Sequence, residues 1–295
     1  MSVNARVSVI VPCFNSQRYL RETLTSLDEQ TYPHFEVVLV DDGSTDASVQ
    51  IARAWMQQNL RRLSTLVTQT NRGVAAARNA AIAVARGTYI LPLDSDDCLT
   101  EDFLAEGVKR LDEASETALV FTDRREFGNS STYWRSGRFE LSSLRAFNQI
   151  PYAALFRKKV WQSVGGYRSN VDGFDDWDFW IASAARGFRG ERLEGPLLLH
   201  RDRADSQFWR VIERYESLFA RIILNNSAVY SPSEVLQARA WLESGARSSL
   251  LSASRFLFLS RLRNPAPDSV HPAETPNIPQ CQLRDQSSEG LPCES

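Results

Sequence analysis

The chain has 295 residues, of which 43% are hydrophobic and 24% are charged, and its formal net charge is −2. This composition is typical of a globular protein and argues against nucleic acid as a partner, because no overall basic excess neutralises phosphates. No apolar run approaches the roughly 18–20 residues of a membrane-spanning helix, and residues 1–11 lack the pattern of a secretory signal. The four cysteines lie far apart without a Cys-x-x-Cys pair, so we expect reduced thiols and a cytoplasmic location.

Strand-like and helix-like segments alternate along the first half of the chain. Apolar runs predict strands at 7–11, 35–40, 63–68 and 88–93. Apolar residues at helical spacing predict three intervening helices, with faces formed by Leu20, Leu24 and Leu27, by Ala47, Ile51 and Ala54, and by Val74, Ala77, Ala81 and Val84. We expect Asn15 or Ser16 to cap the first helix and Gly87 to end the third. The pattern predicts a mostly parallel sheet flanked by helices, with ligands bound beyond the carboxyl ends of the strands.

The second half of the chain has a less regular pattern. Residues 121–150 are polar and rich in aromatics, order returns at 152–164, and a helix is predicted at 179–185. From 208 to 262 the sequence is mostly helical, with a break where Ser231 or Ser233 would cap a new helix. Residues beyond 264 are rich in proline and polar side chains, which predicts disorder. We therefore divide the chain into a domain at 1–207, a helical extension at 208–263 and a tail at 264–295.

Two acidic clusters directly follow predicted strands. Asp41 and Asp42 come after the second strand, and residues 94–97 place three carboxylates within four positions after the fourth. Crowded carboxylates repel one another unless a cation, a basic partner or water compensates them. Carboxylates in such a loop suit Mg²⁺ or Mn²⁺, which take one or two protein oxygens and let phosphates supply others. Each cluster alone could be a solvated turn that caps the next helix, but two clusters at one sheet edge favour a site.

A third group of carboxylates lies among aromatic residues. The acids are Asp172, Asp175, Asp176 and Asp178. A carboxylate surrounded by aromatic rings is partly desolvated, which raises its pKa and makes it a better base. Acids are also favoured in the first turn of a helix by the macrodipole, and the sequence leaves both interpretations open.

Taken in order, these segments resemble the family-2 glycosyltransferases, which have the Rossmann-like GT-A fold. The resemblance covers roughly residues 7–205, about two thirds of the chain. The ordered series is specific although each motif alone is not. The matching segments are the first strand at 7–15, the nucleotide-binding turn at 41–46, the segments 71–73 and 77–79, the metal motif at 94–97, and the acceptor-side segments 165–167 and 175–178.

The resemblance implies a donor site for a nucleoside-diphosphate sugar, most often a UDP-sugar. Asp41 or Asp42 would bond the base, Arg78 would lie near the nucleotide, and Asp94 would meet the ribose. Asp96 would coordinate Mn²⁺ or Mg²⁺ at the diphosphate. The implied nucleotide-sugar site as a whole comprises Pro12, Asn15, Asp41, Asp42, Arg78, Asp94 and Ser95.

The resemblance also implies an acceptor side. Asp176, with Asp175 beside it, would take the proton of an acceptor hydroxyl, and the sugar would be transferred with inversion. The acceptor would be a saccharide or a lipid-linked saccharide of a polysaccharide or glycolipid pathway. The family motif usually begins Glu-Asp, whereas Asp175 precedes the base here.

One further departure concerns a second metal ligand. The family often places a histidine two residues after an arginine, and after Arg201 that position holds Arg203. The only nearby histidine, His200, precedes Arg201 and is the candidate second ligand.

Three other functions are compatible with parts of the pattern. A non-catalytic nucleotide-sugar binder would have lost the base or the metal motif, but Asp96 and Asp176 are present. A nucleotidyltransferase would carry a glycine-rich, basic loop after the first strand, where residues 12–16 read PCFNS. A dehydrogenase would need a Gly-x-Gly-x-x-Gly that follows no strand here.

Peripheral membrane contact is a further possibility for the C-terminal helices. Arg255, Arg261 and Arg263 flank the apolar stretch 256–259, which would suit a helix lying beside anionic lipid. A packed core with a basic rim is the commoner arrangement of such residues, and we favour it.

Overall fold

The structure is a computed structural model that describes residues 5–204 and 208–245, together with 251, 252, 254, 255 and 259. The predicted tail from 264 onward lies outside the described residues. Within these ranges eleven strands form two sheets: β1 Val7–Cys13, β2 Phe35–Asp41, β3 Ser64–Thr68, β4 Tyr89–Pro92, β5 Cys98–Leu99, β6 Thr117–Phe121, β7 Arg124–Gly128, β8 Tyr133–Trp134, β9 Leu155–Arg157, β10 Arg189–Arg192 and β11 Leu198–Asp202.

Helices connect and cover the strands. The α-helices of the described ranges are α1 Leu20–Asp28, α2 Ser48–Gln58, α3 Val74–Val84, α4 Phe103–Glu113, α5 Leu141–Leu144, α6 Lys158–Val164, α7 Asp175–Ala185, α8 Phe208–Glu213, α9 Tyr215–Asn225 and α10 Pro232–Ser244. No helix among the described residues is both long and apolar enough to cross a bilayer.

The larger sheet has seven strands in the order β10-β6-β9-β4-β1-β2-β3. β1 is parallel to β2 and to β4, β2 is parallel to β3, and β10 is parallel to β6. The predicted mostly parallel sheet is therefore confirmed. β9 lies between β4 and β6 and is antiparallel to both, which the sequence did not predict because three residues are too few to show a period.

The position of β1 explains where a ligand can bind. The chain proceeds from β1 to β2 and β3 on one side and then crosses to β4 on the other side. Such a reversal of strand order opens a crevice beyond the carboxyl ends of the neighbouring strands. Cys13 pairs with Asp41 across β1 and β2, so these two strands end level with each other at that crevice.

Burial on both faces of the sheet explains why the strands read as continuous apolar runs. Every residue of β1 and β2 is buried. Side chains alternate between two core clusters, with Ile10 and Val38 in one cluster and Val9 and Val37 in the other. Hydrophobic burial therefore holds the central strands from both sides and keeps their ends in register.

Three local expectations from the sequence are wrong. α1 begins at Leu20, after a turn, and its N-cap position has no side-chain hydrogen bond, so neither Asn15 nor Ser16 caps it. The buried face of α2 is Ser48, Ala52 and Trp55, one position beyond the predicted face, because the Ser48 hydroxyl bonds to Ser16 and Asp46 beneath the helix.

Gly87 does not end α3, which stops at Val84 with an extended Ala85 after it. A Cβ at residue 87 would lie 2.6 Å from the backbone nitrogen of Ser8. The glycine is needed because the backbone entering β4 passes against β1 at this point.

The segment 121–150, which gave no clear periodicity, contributes to the second sheet. Its strand order is β5-β11-β7-β8, with β11 parallel to β7 and antiparallel to β5. β5 follows directly on the acidic loop 94–97, so the pairing of β11 with β5 brings residues 200–203 beside that loop. The strands of this sheet are short and mostly half-buried, which removes the apolar run that marks the central strands.

The C-terminal helices pack onto the same core as the sheet. Tyr215, Leu218 and Phe219 of α9 are buried, and the ring of Phe219 stacks on Trp177 with centroids 5.1 Å apart. In the stretch for which membrane contact was weighed, Arg255 pairs with Glu216 at 3.0 Å and Leu259 packs against the core. Arg261 and Arg263 lie outside the described residues.

The predicted cap at Ser231 is confirmed. Its hydroxyl accepts a hydrogen bond from the backbone of Glu234, whose carboxylate accepts one from the backbone of Ser231, and Pro232 occupies the first helical position. This reciprocal capping box satisfies two backbone donors at the start of α10.

We expect Ser231→Ala to lower the free energy of unfolding by about 1 kcal/mol, because it removes an N-cap. Urea denaturation followed by circular dichroism measures the change. Ser233→Ala, two positions on at an exposed site, is the matched control and should change stability by less than about 0.5 kcal/mol. Equal losses in the two variants would contradict the capping role.

Candidate active site

The candidate site lies where β1, β2 and β4 end, at the crevice beside β1. Hydrogen bonds tie the three strand-end loops together. Asn15 adopts a left-handed backbone (φ 49°), accepts from the backbone of Thr45 at 2.9 Å and donates its own N–H to the Ser44 hydroxyl at 3.0 Å. The hydroxyls of Ser16 and Ser95 lie 2.6 Å apart and join the first loop to the acidic loop.

These contacts define the positions of three predicted donor-site residues. Pro12 is buried within β1, so it contributes to the strand and not an exposed side chain. Asn15 and Ser95 brace the loops that line the crevice. Between Pro12 and Asn15, Phe14 leaves 43% of its surface exposed and offers an aromatic face that the sequence analysis did not single out.

The two neighbouring carboxylates after β2 have different surroundings. Both oxygens of Asp42 are engaged by the loop after β3: Oδ1 accepts from Gln69 Nε2 at 2.7 Å and from the backbone of Arg72 at 2.9 Å, and Oδ2 accepts from the backbone of Gly73 at 2.8 Å. Asp41 accepts only one described hydrogen bond, from the backbone of Ser44 to Oδ1 at 3.2 Å. Asp42 is therefore a loop anchor, whereas Asp41 has no described hydrogen bond at its second oxygen.

Arg78 connects the acidic loop after β4 to the start of α7. Its Nη1 donates to Asp175 Oδ2 at 2.5 Å and its Nη2 donates to Asp94 Oδ1 at 2.7 Å. The guanidinium also faces the rings of Tyr152 and Tyr167, at 5.3 and 5.7 Å from the centroids. Burial lowers the pKa of the guanidinium, but Asp175 and Asp94 outweigh that effect and hold the pKa well above its ordinary value. Arg78 therefore stays charged and pairs with both carboxylates.

Asp97, in the acidic loop, is an anchor for β11. Its Oδ2 accepts from the Tyr152 hydroxyl at 2.5 Å and faces His200 Nδ1 at 2.9 Å, and its Oδ1 accepts from the backbone of Arg201 at 2.7 Å. Burial raises the pKa of Asp97, but His200 and the other hydrogen bonds outweigh it, so that the pKa lies below its ordinary value. The Tyr152 hydroxyl also accepts a hydrogen bond from the backbone N–H of Asp94, at 3.2 Å.

Asp96, in the same loop, keeps part of its side chain accessible to solvent. Its Oδ2 pairs with Arg203 Nε at 3.0 Å, and 20% of its side chain is exposed. Burial, together with the charges of Asp97 and Asp94, raises the pKa of Asp96 to about 6. Basic partners thus compensate the crowded carboxylates: Arg78 at Asp94, Arg203 at Asp96, and His200 at Asp97.

The acceptor-side carboxylates lie at the start of α7, which begins four residues earlier than predicted. Asp175 is buried against Arg78, and Asp178 pairs with Arg168 at 3.0 Å. Asp172 accepts from the backbone of Ala75 at the start of α3. Asp176 differs from these three because its one described side-chain partner is the neutral amide of Asn148, at 3.0 Å.

Asp176 has the environment of a base. Burial and the neighbouring charge of Asp175 raise its pKa to about 7, while Arg78 and the Asn148 hydrogen bond act in the opposite direction. The helix-start interpretation of this cluster is confirmed, since three of its acids lie in the first turn of α7. The base interpretation of Asp176 stays a prediction. Asn148 was missed because it lies in the irregular segment before residue 152, where no sequence pattern indicated a site.

The side chains at this site are too few to bind a divalent cation alone, so a bound ligand would have to supply further oxygen atoms. Among the described residues no group of three or more histidine, cysteine or acidic side chains could bind a metal ion. Arg203 engages one oxygen of Asp96, which leaves Oδ1 as a donor, and Asp97 engages Nδ1 of His200, which leaves Nε2. One or two protein donors suit Mg²⁺ or Mn²⁺ that is otherwise held by substrate phosphates.

Comparison with known proteins identifies the family. The family model described as glycosyl transferase family 2 matches residues 8–170, more than half of the chain. The chain belongs to the family-2 glycosyltransferases. Family membership makes the chain a glycosyltransferase and removes the nucleotidyltransferase and dehydrogenase alternatives.

Curated relatives of this glycosyltransferase share part of its length. Glycosyltransferase GlyA of Streptococcus pneumoniae is 39% identical over 111 residues, which is 38% of this chain and 16% of GlyA. A PGL/p-HBAD biosynthesis glycosyltransferase of Mycobacterium bovis is 34% identical over 174 residues, which is 58% of this chain and 67% of the relative. The match to GlyA thus covers less than a fifth of that protein.

Solved structures show the same fold. The mannosyltransferase PcManGT from Pyrobaculum calidifontis, in complex with GDP-Man and Mn²⁺, aligns with a TM-score of 0.61 and 24% identity over 90% of this chain and 77% of PcManGT. Residues 1–349 of TarS from S. aureus, in complex with UDP-GlcNAc, align with a TM-score of 0.60 and 23% identity over 81% of this chain and 73% of that TarS fragment. The GT-A fold is confirmed.

The different roles of Asp41 and Asp42 can be separated by stability. Asp42→Ala should lower the free energy of unfolding by about 3 kcal/mol, because it leaves three partly buried donors without their acceptor. Asp41→Ala should cost less than about 1 kcal/mol, since one long hydrogen bond is lost. Urea denaturation of the two variants provides the comparison, and equal losses would contradict the anchor role of Asp42.

Proposed function

We propose that this glycosyltransferase transfers a sugar from a nucleoside-diphosphate donor to an acceptor hydroxyl, with inversion, and that Asp176 is the base. The observation that carries the proposal is the Arg78 bridge. It joins Asp94, in the acidic loop of the donor side, to Asp175, the residue next to Asp176. A base and a diphosphate site held by one buried ion-pair network are what a single displacement requires.

Asp41 is the proposed partner of the nucleobase. It lies at the end of β2 with no described hydrogen bond at its second oxygen, and the exposed ring of Phe14 at the end of β1 offers a surface for stacking. The neighbouring structures hold UDP-GlcNAc in one case and GDP-Man in the other. We propose a UDP-sugar as the donor and treat GDP as the alternative that binding experiments decide.

Asp96 and His200 are the proposed protein ligands of a divalent cation at the diphosphate. Such a cation, Mn²⁺ or Mg²⁺, would stabilise the negative charge that develops on the leaving diphosphate. PcManGT, which shares the fold, was solved with Mn²⁺. Arg203 lies at the same carboxylate, and its guanidinium places a second positive charge beside the diphosphate position.

Asp176 is proposed to take the proton of the acceptor hydroxyl. A base works best when its pKa lies near the working pH, and a pKa of about 7 meets that condition. Asn148 holds Oδ2 and orients the carboxylate. Asp175 is paired with Arg78, so the start of α7 has no second unpaired carboxylate that could form a covalent intermediate. Without that intermediate the transfer is a single displacement, which inverts the anomeric carbon.

The acceptor is proposed to be a saccharide or a lipid-linked saccharide of polysaccharide or glycolipid synthesis. One relative carries the name of a PGL/p-HBAD biosynthesis glycosyltransferase, and the match covers 58% of this chain. The proposal rests on that relationship and on the resemblance described above.

Calorimetric titration with UDP, GDP, CDP and dTDP, each with Mn²⁺ or with EDTA, tests the donor site. One diphosphate should bind at least about tenfold more tightly with Mn²⁺, because the cation bridges Asp96 and the phosphates. Asp96→Ala should abolish this difference. The control is Asp102→Ala, which removes an exposed carboxylate six positions after Asp96 and should retain the tighter binding with Mn²⁺. Failure of all four nucleotides to bind would contradict the proposed donor site.

The pH dependence of turnover tests the base. Release of nucleoside diphosphate from the sugar donor, with water or saccharide as acceptor, should decline below about pH 7 as Asp176 becomes protonated. Asp176→Asn should retain donor binding and lose at least about 100-fold in turnover.

A second substitution tests the role of Asn148. The hydrogen bond from Asn148 stabilises the ionised carboxylate, so Asn148→Ala should raise the pKa and move the acidic limb upward by about 0.5–1 pH unit. Asn225→Ala removes a comparable hydrogen bond at Asp178 and should leave the limb in place. Wild-type turnover in Asp176→Asn would refute the assignment of the base.

A further inference from the structure

A two-lobed hollow opens at the edge of the large sheet where the parallel strands begin, opposite the edge that carries the active site. One lobe, of about 570 Å³, lies between the end of α2 and the start of β3, and the other, of about 320 Å³, lies at the start of α6. Arg86 lines both lobes and joins them. We call this feature the basic hollow, after the six basic residues that line it: Arg61, Arg62, Arg86, Arg157, Lys158 and Lys159.

The charge of the basic hollow is one-sided. No acidic residue of the described chain lines either lobe, although the whole chain carries a net charge of −2. The six cations come from three separate places in the sequence, so their convergence is a product of the fold. Like charges gathered at one surface repel one another, and an anionic partner relieves that repulsion.

Three of the cations already have structural partners. Arg62 lies over the ring of Phe35, with its guanidinium carbon 4.0 Å from the centroid, and its Nε lies 3.8 Å from Oδ1 of Asp28. Arg157 donates to the carbonyl oxygens of Leu111 and Thr117, and Lys158 donates to that of Ala85.

The other three cations face solvent. Arg61, Arg86 and Lys159 are exposed, and within the described ranges no ion pair or side-chain hydrogen bond engages them. These three side chains are therefore available to a partner.

Exposed apolar side chains accompany these free cations. Leu60 lines the larger lobe and is 86% exposed, and Val84, two residues before Arg86, is 48% exposed. Only four large apolar residues of the described chain are exposed to this degree, and one of them, Leu60, lines the basic hollow. A free phosphate or nucleotide would satisfy the cations but would leave the leucine in water. A surface that offers phosphates next to an apolar layer can pair with the cations and also remove the leucine from water.

We propose that the basic hollow docks the chain on the surface of an anionic phospholipid bilayer. Arg61, Arg86 and Lys159 would contact the phosphates of several lipids, and Leu60 would enter the boundary between headgroups and acyl chains. This surface is separate from the C-terminal stretch and does not depend on the proposed catalytic chemistry.

Docking in this way determines how the active site is presented. β1 has seven residues, which span roughly 20 Å at about 3.3 Å per residue. The carboxyl ends of the strands would then point away from the bilayer. An acceptor anchored in the same bilayer would reach Asp176 only with a portion that extends at least about that distance from the surface.

Co-sedimentation of the full chain with vesicles tests the proposal. Vesicles of phosphatidylcholine that contain about 30% of the anionic lipid phosphatidylglycerol should bind the chain, and vesicles of pure phosphatidylcholine should not. The triple variant Arg61→Glu, Arg86→Glu, Lys159→Glu should bind the anionic vesicles about 100-fold more weakly, since each of the three cations near the surface contributes a factor of about five. Leu60→Ser should also weaken binding.

A matched triple variant separates this surface from net charge. Lys109→Glu, Arg221→Glu and Arg239→Glu alter exposed cations elsewhere by the same total charge and should bind like the wild type. Both triple variants should retain nucleoside-diphosphate binding with Mn²⁺, so that a failure of docking is distinguished from a failure of the donor site.

Three results would overturn the proposal. Equal loss in the two triple variants would show a non-specific charge effect, and full binding by the first triple variant would assign the contact to another part of the chain. The dissociation constant of inorganic pyrophosphate for the chain can be measured by calorimetry. If pyrophosphate at about that concentration displaces the chain from vesicles, the basic hollow is a site for a soluble anion.

Discussion

A buried guanidinium between two carboxylates is the constraint on which the site depends. Arg78 projects from α3, and its partners Asp94 and Asp175 come from the loop after β4 and from the start of α7. A buried charge is tolerated only when it is paired, so the three elements have to meet in this one arrangement. Removing Arg78 would leave Asp175 buried without compensation and would uncouple the donor side from the acceptor side.

A second pattern runs through the crevice: carboxylates come in adjacent pairs in which one member is more fully engaged by protein groups than the other. The more engaged members contact backbone amides, hydroxyls or a guanidinium. Neighbouring side chains leave the backbone in different directions, so one residue can brace the loop while the next makes fewer contacts. The pairs, with the more engaged member first, are Asp42 and Asp41, Asp97 and Asp96, and Asp175 and Asp176.

The acidic loop also shows how the fold compensates crowded carboxylates with basic side chains. The sequence suggests that residues 94–97 need a counter-charge, and the fold supplies one from β11, where Arg203 reaches Asp96 and His200 reaches Asp97. A divalent cation would therefore join a site that is already compensated in part. The affinity of the site for such a cation depends on the free energy needed to displace Arg203 from Asp96.

The sequence by itself determined the central strands, the acidic residues at their ends and the presence of a helix cap at Ser231 or Ser233. Strands buried on both faces must be apolar throughout, and capping depends on residues three apart, so both signals are local. Only the tertiary structure decided which carboxylate of each pair is more fully engaged by the protein and which distant residue meets it. Arg78 and Asp175 are separated by 97 positions in the chain, and Asn148 and Asp176 by 28. Such contacts arise from the packing of whole elements, which leaves no periodic trace in the sequence.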